Sequence, residues 1–274
     1  MKIFISADIE GVGGVVRGEQ SIRDSSDYAY ARKLMTAEVN AAIRGAFDAG
    51  AGEVVVADAH HIGLNLISDE VDERARQIIG TPRRLGMMEG VDLGFDAAFL
   101  LGYHASAGTP QGVIAHSYRQ RVAEIKLNDR KVGEIGFNAA LSGHFGVPVV
   151  LISGDEAACA EARALLPHIL AVPVKKGLGA YAAACLHPRQ AQDLIYQSTR
   201  KAITHASVCA PFVVSQPTCL DVRFTTASAI DRCLRLPGIE LLDGTTLRYE
   251  ARDVLEAYQI FNVMADLAEL VPHI

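Results

Sequence analysis

Apolar residues in the first half of the chain fall in short runs, separated by longer stretches with helical spacing. Residues 2–7 and 53–57 are rich in β-branched and apolar side chains, the pattern of strands buried on both faces. Between them, residues 28–49 are rich in Ala, Arg, Lys and Glu, carry Leu34, Val39, Ile43 and Phe47 at helical spacing, and stop at Gly50 and Gly52. The strand signal returns at 97–101 and 147–153, and helices are predicted at 134–145 and 155–166. Strands alternating with helices imply βαβ units, and therefore an α/β fold with a doubly wound, mostly parallel sheet.

A different texture interrupts this pattern. Residues 120–127, the polar Asn128-Asp129-Arg130 and the following Lys131-Val132 read as a hairpin. From about Leu178 the order becomes a helix at 188–204, strands around 220–224 and 246–250, and a last helix at 254–270. This predicts a smaller α+β C-terminal portion, with a boundary near Pro173, Gly177 and Gly179. The expected division is a metal-binding α/β domain over residues 1–175 and the smaller portion over 176–274. Repeats and low-complexity segments are absent from the sequence, which excludes a solenoid.

Composition narrows the function. Half of the 274 residues are hydrophobic, ample for a buried core. A net charge of −6 leaves no basic stripe to neutralise phosphates, so nucleic acid is not an expected partner. The longest apolar stretches, such as 97–102 and 147–152, are strand-sized, against the ~20 residues of a membrane span, so a membrane is not expected either. Asp8 and Glu10 cut short the apolar Ile3-Phe4-Ile5, so no secretory signal is visible. Cys159, Cys185, Cys209, Cys219 and Cys233 form no CxxC pair and read as reduced, packed thiols. A cytoplasmic location is expected.

Acids and imidazoles stand just past the carboxyl ends of the predicted strands, where open α/β sheets bind ligands. The first strand runs into Asp8-Ile9-Glu10, the second into Asp58-Ala59-His60-His61, and the strand at 97–101 into Gly102-Tyr103-His104. Carboxylate and imidazole from three strand ends make a metal site suited to zinc. Asp8 and Glu10, two apart on an extended chain, face the same side and repel unless a cation or proton compensates them. A solvated pair in a loop would explain these two alone; convergence with the histidines argues against it. The glycines at 11, 13 and 14 do not complete a dinucleotide fingerprint, because Val16 stands where the third glycine belongs. His60 and His61 point to opposite faces, and the period of two from Asp58 favours His60. Glu134 opens a helix, where its charge suits the helix dipole in any case. His116 lies in a loop before the hairpin, while His144, His168, His187, His205 and His273 have weaker claims.

Taken in order, Ser6-Ala7-Asp8-Ile9-Glu10-Gly11, Asp58-Ala59-His60, Met88-Glu89-Gly90-Val91-Asp92, Gly102-Tyr103-His104-Ala105, His116-Ser117 and the segment from Asn128 through Gly133-Glu134-Ile135-Gly136-Phe137-Asn138-Ala139 resemble the D-aminopeptidase family of zinc metallopeptidases. Glu256-Ala257-Tyr258-Gln259 is similar as well, so the resemblance spans nearly the whole chain. It implies two zinc ions held by Asp8, Glu10, His60, His104 and Glu134, with His116 as the catalytic histidine. It also implies short peptides with a free N-terminal D-residue as substrates, and a homo-oligomer, a ring of ten subunits around a chamber. Five side chains hold two ions only by sharing, and Asp8 is the natural bridging carboxylate. His116 has three open roles: stabilising the oxyanion, moving a proton to the leaving amine, or attacking as the nucleophile. The competing readings are a metal-dependent amidase or phosphoesterase, for which Arg17, Arg119 and Arg121 are the candidate phosphate contacts, and a non-catalytic metal-stabilised binding module.

Overall fold

Side chains on the apolar runs alternate between two buried faces, and the runs pair side by side as parallel strands. The computed structural model describes residues 1–270, so His273 lies outside the described residues. In chain order the elements are β1 (Lys2–Ala7), α1 (Tyr28–Asp48), β2 (Glu53–Asp58), β3 (Arg76–Ile78), β4 (Ala97–Tyr103), β5 (Val122–Leu127) and β6 (Arg130–Val132). They continue with α2 (Glu134–His144), β7 (Val149–Asp155), α3 (Glu156–Leu165), β8 (Leu170–Gly179), β9 (Ala182–Cys185) and α4 (Pro188–His205). The chain closes with β10 (Thr218–Phe224), β11 (Ile239–Leu241), β12 (Thr246–Ala251) and α5 (Val254–Glu269).

The larger sheet has the order β3-β2-β1-β4-β7-β8-β9 and is parallel except for β9. Ile3 and Ile5 point to one face, into a core with Leu34, Val39 and Ile43 of α1 and Ile195 of α4. Phe4 points to the other, into a core with Phe137 of α2 and Phe261 of α5. Burial on both faces is what makes these strands read as continuous apolar runs. After β1 the sheet grows outward through β2 and β3. The chain then returns to build β4, β7 and β8 on the opposite side of β1. The order therefore reverses between β1 and β4, and such a switch point opens a crevice at the carboxyl ends of the strands.

Two glycines close the floor of that crevice. A Cβ on Gly11 would lie 2.0 Å from the carbonyl oxygen of Tyr103, and one on Gly102, whose φ is +67°, would lie 2.2 Å from that of Asp8. Only glycine lets the end of β1 press against the end of β4 in this way.

The second sheet is antiparallel, ordered β11-β12-β10-β5-β6, with Leu220 opposite both Leu127 and Tyr249. Helix α5 packs on this sheet and on α2. The division expected at 175/176 coincides with neither sheet. It falls inside β8, whose Pro173 and Lys175 pair with Gly154 and Asp155 of β7, and β9 belongs to the larger sheet as well. Pro173, Gly177 and Gly179 mark the β8–β9 hairpin, not a linker. The smaller sheet instead joins β5 and β6 of the first half to β10–β12 of the last quarter. No helix among the described residues is long and apolar enough to cross a membrane.

Candidate metal centre

Six side chains converge where β1, β2 and β4 end. Asp8 and Glu10 leave β1, His60 follows β2 and His104 follows β4, while Glu134 begins α2. His116 comes from the loop between β4 and β5, which folds back so that its ring stacks on His104 with centroids 4.1 Å apart and planes 12° apart. His61, with φ at +50°, is exposed and turned out of the cluster.

The carboxylates are deeply placed: Asp8 is 2%, Glu10 4% and Glu134 4% exposed. Three buried negative charges within one cluster demand positive charge, because burial alone strongly disfavours the ionised form. Burial and the neighbouring Glu10 push Asp8 up to about 7. Burial would also raise Glu10 and Glu134, but His60 beside the first and His104 beside the second bring both below the usual range. Burial would lower His104 and His60. The facing carboxylates win, taking His104 to about 10 and His60 well above its ordinary value. His116 is lowered, by burial and by its neighbour His104. Protons here do the work that a cation would do.

The hydrogen bonds fix which nitrogens face inward. His60 Nε2–H donates to the carbonyl of Ser21 at 3.1 Å, so Nδ1 turns to Asp8 Oδ1 at 3.2 Å and Glu10 Oε2 at 2.9 Å. His104 Nδ1–H donates to the carbonyl of Ala105 at 3.0 Å, leaving Nε2 3.3 Å from Glu134 Oε1 and 3.6 Å from Asp8 Oδ2. His116 Nδ1–H donates to the carbonyl of Ile114 at 2.9 Å, leaving Nε2 3.7 Å from Glu134 Oε1. A carbonyl can only accept, so each neutral ring directs its lone pair at carboxylate oxygens. That arrangement is repulsive unless a proton or metal lies between, and backbone carbonyls behind the rings are how metal-binding imidazoles are usually oriented. Asp8 Oδ2 and His104 Nε2 are buried without a well-formed hydrogen bond, and Glu10 Oε2 has only the close approach of His60 Nδ1. Candidate ligand atoms lie within 4.8 Å of one another in two groups, Asp8–Glu10–His104 and His104–His116–Glu134.

Supporting residues that the sequence reading passed over hold this geometry. The Asp58 carboxylate accepts from the main-chain N–H groups of Asn65 and Leu66, at 2.5 and 2.7 Å. Asn65 in turn donates to the carbonyl of His60 at 2.6 Å, shaping the loop after β2. Tyr118, with φ at +59°, donates its N–H to Glu134 Oε1 at 2.6 Å and its hydroxyl to Asn138 at 2.9 Å. Its ring sits among Phe137, Tyr258 and Phe261. Both belong to motifs quoted for the resemblance, Asp58 with His60 and Asn138 with Glu134, so their sequence signal was company rather than type. Arg17 and Arg119, two of the candidate phosphate contacts, are exposed and paired with Glu19 and Asp266, and Arg121 lies 3.9 Å from Glu269.

Fold and site together define a class: an α/β enzyme whose centre is a buried carboxylate–imidazole cluster at the switch point of its sheet. The family described as D-aminopeptidase matches residues 1–263. A D-aminopeptidase of Bacillus subtilis (strain 168) is 36% identical over 269 residues, covering 98% of each chain. The solved structure of the zinc-dependent D-aminopeptidase DppA from Bacillus subtilis, described as a self-compartmentalizing protease, superposes with a TM-score of 0.98 at 34% identity, covering all of both chains. The chain belongs to the D-aminopeptidase family.

Proposed function

We propose that the chain is a zinc-dependent aminopeptidase that releases an N-terminal D-residue from short peptides, with two zinc ions held by Asp8, Glu10, His60, His104 and Glu134. The observation that carries this reading is the set of inward imidazole nitrogens facing buried carboxylates. The donor set, mixed nitrogen and oxygen, is one that zinc accepts. Asp8 stands between His60 and His104, which suits a shared carboxylate.

Zinc bound there supplies Lewis acidity to a carbonyl oxygen and acidity to a water. A metal pair held beside the Glu10 carboxylate would anchor the substrate's free amine. An amine fixed there lets only one hand of the residue align its carbonyl, and a displacement of about an ångström can cost ~100-fold in rate. His116 is the catalytic histidine. Its inward Nε2 carries a lone pair, which suits accepting a proton or attacking a carbonyl. It can donate to an oxyanion only after gaining a proton. The pairing of Arg17 with Glu19 and Arg119 with Asp266 disfavours a phosphoesterase. A cytoplasmic setting is supported by five cysteines free of disulfides. We carry over a closed homo-oligomer, a ring of ten, as part of the same reading.

The test compares kcat/KM for D-Ala-D-Ala, L-Ala-L-Ala and N-acetylated D-Ala-D-Ala, with the metal content of the same preparation. Only the first should be cleaved efficiently. Preference for the L-peptide refutes the substrate and leaves the centre standing. Equal cleavage of the acetylated peptide removes the amine anchor and makes the protein a general amidase.

A further inference from the structure

Glu10 does not sit on a strand. It begins a turn over residues 10–15 that bends away from β1, and the turn must hold its shape for Asp8 and Glu10 to converge. Several of its N–H groups find partners. Gly11 donates to the carbonyl of Gly102 at 2.7 Å, Val12 to that of Ile9 at 3.1 Å and Gly13 to Glu38 Oε1 at 2.9 Å. Its carbonyls are less well served. The Val12 carbonyl accepts from the Val15 N–H at 3.1 Å, those of Glu10 and Val15 meet no main-chain donor, and all three turn toward one point beside β8.

The Lys175 ammonium occupies that point, with Nζ donating to the carbonyls of Glu10 at 2.5 Å, Val12 at 3.1 Å and Val15 at 2.5 Å. Lys175 is only 2% exposed, although it stands next to the exposed Lys176. An irregularity in the β7–β8 pairing puts it there. Gly154 opposes Pro173 and Asp155 opposes Lys175, so β8 carries one extra residue, Val174. Bulges of this kind re-aim a side chain and recur beside active sites. The choice of residue follows from the acceptors. Three converging carbonyls need three donors from one atom, which an ammonium provides; an amide offers two, and a guanidinium only a planar fork. Asp155 and Glu38 supply compensating negative charge.

We propose that Lys175 is a positioning residue that sets the turn over residues 10–15 in its ligand-presenting shape before any metal arrives. The proposal rests on the reading that Asp8 and Glu10 hold zinc. A turn fixed in advance spares metal binding the entropy of ordering it, the general route by which preorganisation raises affinity. Residues acting behind a metal ligand typically change metal affinity ~10- to 100-fold when replaced.

The experiment is amide hydrogen exchange on the purified protein, with zinc and after chelation, together with zinc affinity by competition. In the wild type, the amides of residues 11–16 should remain as protected without zinc as with it. In Lys175→Met, the same amides should exchange at least ~10-fold faster without zinc, while those of β4 and β7 are unchanged. Zinc should restore their protection at an affinity ~10- to 100-fold weaker. Ethylammonium added to Lys175→Ala should recover part of the lost affinity, which a general loss of packing would not allow. Fast exchange of the turn in metal-free wild type overturns the proposal even if no variant folds. So does wild-type zinc affinity in Lys175→Met. A wild type that binds no zinc overturns the metal reading itself, and this proposal with it.

Discussion

A main-chain carbonyl behind each imidazole decides what that imidazole can do. Ser21, Ala105 and Ile114 take one N–H each from His60, His104 and His116, so three ring nitrogens are left facing into the cluster. Two of these rings face Asp8, while His116 approaches only Glu134 and is 18% exposed at its side chain. On that geometry His116→Ala should keep its full zinc content and melting temperature, and lose ~10²- to 10⁴-fold in kcat, the usual worth of a positioned acid or base. A transition-state role lowers kcat and kcat/KM together. Metal analysis and steady-state kinetics on one preparation check this, and loss of zinc would make His116 a ligand through the His104–His116–Glu134 group. Asp8→Ala should release metal from both positions, because its two oxygens face different histidines. Retention of two ions per chain would end the bridging assignment.

The loop between β4 and β5 carries His116 on positive φ values at Gln111, Ile114 and Tyr118, none of them glycine. Such backbone persists only where its surroundings over-determine it. Here the Tyr118 ring is wedged between α2 and α5 and its N–H is tied to Glu134. Tyr118→Phe removes one hydroxyl hydrogen bond and should cost about 1 kcal/mol with little change in kcat. Tyr118→Ala empties the aromatic slot, and should cost about 3 kcal/mol and lower kcat as the loop relaxes. Denaturant titration and kinetics separate the two, and equal effects from both variants would deny the ring its role. The contrast explains what could be read from sequence. Asp8, His60 and His104 were visible because charged groups at the ends of apolar parallel strands have few other reasons to be there. The fold-back of His116 onto His104 was not, since no side-chain preference announces positive φ at Ile114. Lys175 was hidden because a bulge in β8 depends on its pairing with β7. The smaller sheet was hidden because Leu127 and Leu220 are paired across about a third of the chain, beyond any local pattern.

Across the whole molecule the centre joins parts that are far apart in sequence. Asp8, Glu10, His60 and His104 come from the ends of the larger sheet. Glu134 follows directly on β6 of the smaller one, so a cation held by all of them would tie the two sheets together. Its removal should therefore lower global stability, by an amount that depends on pH with a definite sign. Asp8 in the metal-free protein is raised to about 7, and His104 to about 10, with His60 also well above its ordinary value. Groups raised on folding hold protons that the unfolded chain has released, so the native state binds more protons and stability falls as pH rises. For Asp8 that fall is complete near pH 7, and for His104 it runs from about 6.5 to about 10. His116, lowered in the folded protein, opposes this only around its ordinary value near 6.5. The lowered Glu10 and Glu134 act on the acid side alone, where their contribution is lost as pH falls. A cation held by these residues would replace those protons, and its binding would tighten as they leave. The gap in melting temperature between loaded and chelated protein should thus widen steadily from pH 6.5 to pH 9. Scanning calorimetry at fixed ionic strength measures it, and a constant or narrowing gap would show that the protons held by His60 and His104 are not what the metal displaces.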